Sequence, residues 1–160
     1  DVRWHQIGHL QTNKVKYIAP FVHLIHSVDS LKLLSEIIRQ AAKNERVIDV
    51  LLQVYIAREE SKFGLDDDEV IELLNNHETA AMQNIRICGL MGMATFTDND
   101  LVVRNEFASL KKLFEKLRNG FFSGHEEFRW LSMGMSGDYH IAIEEGSNMV
   151  RIGTALFGER

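Results

Sequence analysis

The sequence is poor in the residues that cross-link or punctuate a chain. Among 160 residues there is one cysteine, Cys88, and one proline, Pro20. A lone thiol excludes an internal disulfide framework and suits a reducing compartment, so a cytoplasmic location is expected. Cys88 lies in the run ICGLMGMATF (87 to 96), where a thiol behaves as a small buried hydrophobe. Pro, Gly and Ser never cluster and no short-period repeat appears, which excludes a linker and predicts one continuous domain over 1–160. Long apolar runs are missing too. The richest, VIDVLLQVYIA (47 to 57), falls short of the roughly 18 residues that cross a bilayer, so no membrane partner is expected. Basic charge is in deficit: 18 Lys and Arg stand against 23 Asp and Glu, for a net charge of −5. Nucleic acid is therefore not expected as a partner. Methionine is absent before Met82, and a chain that opens on Asp1 implies a segment upstream of it.

What is present, 45% hydrophobic and 26% charged residues, is the balance of a packed domain and not of a fibre or a disordered tail. Short apolar strands alternate with helix-length amphipathic segments. Strands are expected at Arg3 to Ile7, Leu24 to Val28, Val47 to Ile56, Ile85 to Met93, Phe128 to Met133 and Asn148 to Ile152. Asp29 or Ser30 can cap the helix LKLLSEIIRQAAK (31 to 43), whose Leu31, Leu34, Ile38 and Ala41 recur at helical spacing. Asp66 and Glu69 have the spacing of a capping box at the start of a second helix. A long helix spans about Asn99 to Asn119, with Leu110, Leu113, Phe114 and Leu117 as its stripe and Gly120 placed for a left-handed end. A short one runs from about Asp138 to Glu145.

Alternating strands and helices predict an α/β fold of parallel strands, either a doubly wound sheet or a (β/α)8 TIM barrel. A dinucleotide fold needs G-x-G-x-x-G after its first strand, and none is found, which favours the barrel. Such barrels take about 250 residues, so 160 residues with six units would be short by about two β/α units.

Barrel sites lie at the C-terminal strand ends, and the last two strands commonly hold phosphate. LSMGMSGD (131 to 138) ends in Gly134, Ser136 and Gly137, and VRIGTALFG (150 to 158) carries Gly153 and Thr154. Small residues of this kind let N–H groups approach an anion, with Met133 and Met135 as cavity walls; plain tight turns are the alternative. Arg151 has Val150 and Ile152 on the opposite face, which aims its guanidinium into the barrel mouth. A ligand would be its partner there, or else a carboxylate such as Asp138 or Glu144.

Several blocks closely resemble the pyridoxal phosphate homeostasis protein family, whose barrel is that of the alanine racemase N-terminal domain (fold type III). They are WHQIGHLQTNKVK (4 to 16), HSVDS (26 to 30), SKFG (61 to 64), GLMGMA (89 to 94) and LSMGMSGDYHIAIEEGSNMVRIGTALFGER (131 to 160). The resemblance implies binding of pyridoxal 5'-phosphate and a role in its storage or delivery, without substantial turnover. It implies that Arg151 bonds the pyridine nitrogen, and that Ser136, Gly153 and Thr154, with Met135 beside them, hold the phosphate end. An always-protonated guanidinium there keeps the ring neutral and weakens it as an electron sink. The resemblance also places the Schiff-base lysine upstream of Trp4. None of the eight lysines present, Lys62 in SKFG included, is expected to replace it, so no catalytic residue and no covalent attachment are expected in these 160 residues.

The rival reading is a racemase, which needs a second acid/base that Tyr55 or Tyr139 would have to supply. Tyr55 is also a departure from the pyridoxal phosphate homeostasis pattern, where many relatives carry Asn. His5 with His9, and His23 with His26, have metal-like spacing but no clear third ligand, so metal is not expected. His5 is expected to line the barrel mouth or to be a satisfied core histidine. A monomer that hands its cofactor to dependent apoenzymes completes the expectation.

Overall fold

The computed structural model of the chain describes residues 2–57, 63–76, 79 and 83–158. Ser61 and Lys62 of the SKFG block lie outside the described residues. Among those described, six parallel strands form one sheet in sequential order: β1 (His5–Gln6), β2 (Leu24–Val28), β3 (Ile48–Tyr55), β4 (Ile85–Met93), β5 (Trp130–Met135) and β6 (Met149–Arg151). The order is that of a barrel, and the sheet is a half-barrel. Six strands are the number expected from the sequence, and they are consistent with a partial (β/α)8 barrel.

Helices α1 (Val15–Ile18), α2 (Leu31–Lys43), α3 (Asp67–Asn75), α4 (Asp100–Asn119), α5 (Tyr139–Glu144) and α6 (Thr154–Phe157) fill the connections. Ser30 caps α2 by accepting from the Leu33 N–H. The Asp66 and Glu69 side chains form the reciprocal capping box at α3. Each satisfies N–H groups that the first helical turn leaves without partners. Gly120 ends α4 at φ −103°, so the left-handed end expected there is not used; the Gly120 N–H simply bonds the Lys116 carbonyl.

Alternation along the strands divides the core in two. On the outer face, Ile25, Val50, Leu52, Leu90, Leu131 and Met133 pack under Leu34 and Ile37 of α2, Val70 of α3 and Phe107 and Leu110 of α4. On the inner face, Leu24, Leu51, Cys88 and Met91, with Trp130 and Met149, form the floor of the barrel interior. Met133 is fully buried on the helix side, so it is no cavity wall; alternation alone would keep it on one face with Met135, but Gly134 at φ +97° and the register shift between Ser132 and Met135 break the alternation and leave only Met135 at the cavity. The fifth strand also starts later than expected. Phe128 is held in the preceding turn by stacking at 4.0 Å on Phe122 and 5.1 Å on Phe114.

Two glycines record close approaches. At Gly89 a Cβ would lie 1.8 Å from the Trp130 carbonyl oxygen, so β4 can pair with β5 only without a side chain there. At Gly134, φ +97°, it would lie 2.6 Å from the Ala142 Cβ, where α5 presses on the end of β5.

Candidate functional site

Above the apolar floor the inner face becomes polar. His26 of β2, Gln53 of β3, Ser132 of β5 and Arg151 of β6 are all buried, and they share the face that carries Leu24, Leu51, Trp130 and Met149. Beyond them, at the C-terminal strand ends, a cavity of about 580 Å³ opens. Its lining includes Thr95, Met135, Ser136, Gly137, Arg151 and Gly153. This is the end of the sheet where barrels place their chemistry.

The strand-end loops build its far wall. Asp138 folds the turn after β5 by accepting from the Met135 N–H at 2.6 Å. Ser136 Oγ accepts from the Gly153 N–H at 3.2 Å and the Ala155 N–H at 3.3 Å, which ties the β5 turn to the start of α6. Added Cβ atoms at Gly137 and Gly153 would meet nothing within 4 Å, so both glycines open directly onto the cavity. A hydroxyl and successive backbone N–H groups around open space are a donor set for an anion.

Arg151 occupies the near wall and is 8% exposed. Nη1 donates to Ser132 Oγ at 2.8 Å and Nη2 to the Gly92 carbonyl at 2.9 Å. Nε is buried and has no hydrogen-bond partner among the described residues. Among the described residues no carboxylate touches the guanidinium: Asp138 bonds Met135, and Glu144 pairs with Arg104 on the outer surface. Burial therefore lowers its pKa to about 10 against the opposing field of Asp138, and the group stays cationic at neutral pH. A buried cation with one orphaned donor, on a residue that lines a cavity, is costly unless an acceptor completes it. A heterocyclic nitrogen with a free lone pair fits that donor, and a phosphate fits the loops opposite.

Behind Arg151 runs a polar chain. Ser132 Oγ lies 3.0 Å from His26 Nδ1, and His26 Nε2 lies 3.1 Å from His5 Nδ1. His26 is 1% exposed; burial, His5 and Arg151 lower its pKa to about 3. His5 is exposed and stacks on His23 at 5.6 Å; partial burial, His23 and Arg3 also hold its pKa below the usual value.

The structure thus brings together Met135, Ser136, Arg151, Gly153 and Thr154, all of which line the one cavity. Tyr139 does not line it: its ring lies against His140 at 3.7 Å on α5. Tyr55 lines an adjoining recess of about 190 Å³ with Gln53 and Phe63, which meets the main cavity at Ala94, Phe96 and Met135. Lys14 and Lys16 lie in the first helical segment, Lys32 and Lys43 on α2, and Lys111, Lys112 and Lys116 on α4. None of these lysines lines the cavity.

Sequence reasoning missed Ser132 and Glu106. Ser132 belongs to no motif singled out in LSMGMSGD, although its parity with Trp130 places it inward. Glu106 interrupts the apolar stripe of α4 between Val103 and Phe107. Its buried carboxylate accepts from the Thr95 N–H and Oγ1 at 2.7 and 2.8 Å and pins the rim after β4. A carboxylate at a stripe position was the available signal.

Comparison with known proteins agrees with this architecture. The profile of the alanine racemase N-terminal domain matches residues 3–160. The pyridoxal phosphate homeostasis protein of Aquifex aeolicus is 44% identical over 160 residues, covering 100% of this chain and 68% of that protein. The protein of the same name from Haemophilus influenzae is 36% identical over 160 residues, with 100% and 66% covered. PipY of Synechococcus elongatus PCC7942, solved with PLP bound, superposes with a TM-score of 0.86 at 31% identity over 99% of this chain and 71% of PipY. The chain thus spans about two thirds of the length of the curated relatives it matches.

Proposed function

Because the chain belongs to the pyridoxal phosphate homeostasis protein family, built on the alanine racemase N-terminal domain, we propose that it binds pyridoxal 5'-phosphate and serves to store and deliver it. The observation that carries this reading is the orphaned, buried Nε of Arg151 at the wall of a cavity whose other side is an anion donor set. Bound there, the cofactor supplies an aldehyde that condenses with amines and a ring that can accept electrons.

The residues act as follows in this reading. Arg151 donates from Nε to the ring nitrogen; with its pKa near 10 it keeps its own proton and leaves the ring neutral. That weakens the electron sink, which suits carriage more than turnover. Ser136, Gly153 and Thr154 hold the phosphate, and Met135 covers the ring edge. Residues 1–160 form one domain of that protein, in the cytoplasm and as a monomer. No helix among the described residues is long and apolar enough to cross a membrane. The racemase alternative loses Tyr139, whose ring lies on the outer helix, and rests on Tyr55 alone.

The test is equilibrium binding of pyridoxal 5'-phosphate to the full chain. Arg151→Gln and Ser136→Ala should each weaken binding about 10-fold or more, the worth of one hydrogen bond to a charged group. Inorganic phosphate should compete in the wild type and compete less in Ser136→Ala. Unchanged affinity in both variants overturns the site assignment.

A further inference from the structure

Arg151 can present Nε to the cavity only if the rest of its guanidinium is held, and one of its two holders is a hydroxyl whose own orientation is free to rotate. Ser132 Oγ accepts from Arg151 Nη1, which has no acceptor capacity, so the Ser132 proton must point elsewhere. His26 Nδ1, at 3.0 Å, is the acceptor for it among the described residues. Were His26 to carry its proton on Nδ1, that N–H and Arg151 Nη1 would both donate to Ser132. The buried hydroxyl proton would then be stranded, at the cost of an unmade hydrogen bond. With the proton on Nε2 instead, every donor is used. Ser132 O–H gives to His26 Nδ1, His26 Nε2–H gives to His5 Nδ1 at 3.1 Å, and the remaining His5 N–H is left for its exposed side. The chain has one direction, and it is set from the surface inward.

We infer that His26 and Ser132 are positioning residues for the cofactor's ring end: a neutral His26 bearing its proton on Nε2 fixes the Ser132 hydroxyl, which holds Arg151 with Nε aimed at the cavity. Neither residue needs to touch the ligand. The inference rests on the cofactor reading above for what Nε meets, but the hydrogen-bond direction is a property of the protein alone. The low pKa of His26 agrees with a neutral ring. The arrangement also explains why a histidine sits at the centre of a fully buried strand, between Ile25 and Ser27.

Two measurements on the full chain test it separately. The first is the imidazole nitrogen spectrum of 15N-histidine-labelled protein without cofactor, with His26 assigned by its loss in His26→Asn. The expected pattern is a neutral ring protonated at Nε2; a ring protonated at Nδ1, or a cationic ring, near pH 7.5 overturns the inference. The second is the affinity for pyridoxal 5'-phosphate of three folded variants. His26→Asn places an amide oxygen where Nδ1 was and keeps the Ser132 bond, so affinity should stay within about 3-fold of wild type. His26→Gln places its amide near Nε2 and abandons Ser132, and Ser132→Ala removes the holder; each should lose about 10-fold, the value of one hydrogen bond to a charged group. Equal losses in His26→Asn and His26→Gln would mean that only packing matters, and would sink the positioning role. If Arg151→Gln binds like wild type while the Nε2 proton is found, the cofactor reading fails and the hydrogen-bond direction survives.

Discussion

Lowering the pH should destabilise this protein through one identifiable residue. His26 is buried and neutral, with a pKa of about 3 in the fold against an ordinary value near 6.5 in the unfolded chain. Its folded pKa is depressed, so unfolding takes up a proton wherever the pH lies between those values. Stability from this residue is complete above about pH 6.5 and falls by about 1.4 kcal/mol for each unit below it, until about pH 3. At pH 4.5 the loss is about 3 kcal/mol, a large share of the 5–15 kcal/mol that typical domains possess. Arg151 stays charged throughout this range and adds nothing to the slope. Other acidic and imidazole groups titrate too, so the measurement is a difference. Urea unfolding of wild type and of His26→Asn, which cannot take up the proton, is followed at intervals from pH 8 to pH 4.5. The gap between the two should be constant above about pH 7 and then shift in favour of the variant by about 3 kcal/mol at pH 4.5. Parallel curves over the whole range would refute the buried neutral imidazole and the reasoning built on it.

Two further outcomes follow from packing. Gly89→Ala forces a methyl into the Trp130 carbonyl across the β4–β5 pair and should cost more than about 3 kcal/mol in urea unfolding; a change under about 1 kcal/mol would contradict that contact. Burial pushes the Cys88 thiol up to about 12, so its thiolate fraction at pH 8 is on the order of one in ten thousand. A disulfide reagent should label it only as fast as the chain opens, and immediate labelling of the native protein would show that the barrel floor is accessible.

Much of this was legible from one dimension. Periodicity alone located β2 and α2 to the residue, because a five-residue run buried on both faces and a capped amphipathic helix each write their own signature. The Asp66–Glu69 box was readable for the same reason: its partners are three residues apart. Elements whose bounds depend on distant partners were read less well. Phe128 has a strand former's side chain but spends it on Phe122 and Phe114, and β1 shrinks to two residues because its pairing with Leu24 and Ile25 ends there. Met133 and Met135 read alike in sequence and share strand parity, yet the break in the strand at Gly134 leaves one under the helices and the other at the cavity.

The local chemistry of the site was likewise present in the chain: a glycine and a hydroxyl at two strand ends, and an arginine on the inner face of the last strand. What only the tertiary structure decided is what those groups lack and what holds them. Carboxylates at 138 and 144 were equally plausible partners for Arg151 until the fold spent one on Met135 and the other on Arg104, leaving Nε orphaned. His26 and Ser132 stand 106 residues apart, and no local pattern relates them. Their contact exists because the sheet curls β2 and β5 toward one interior. The direction of the hydrogen bonds then follows from the one rule that sequence cannot apply by itself, that every buried donor must find its acceptor.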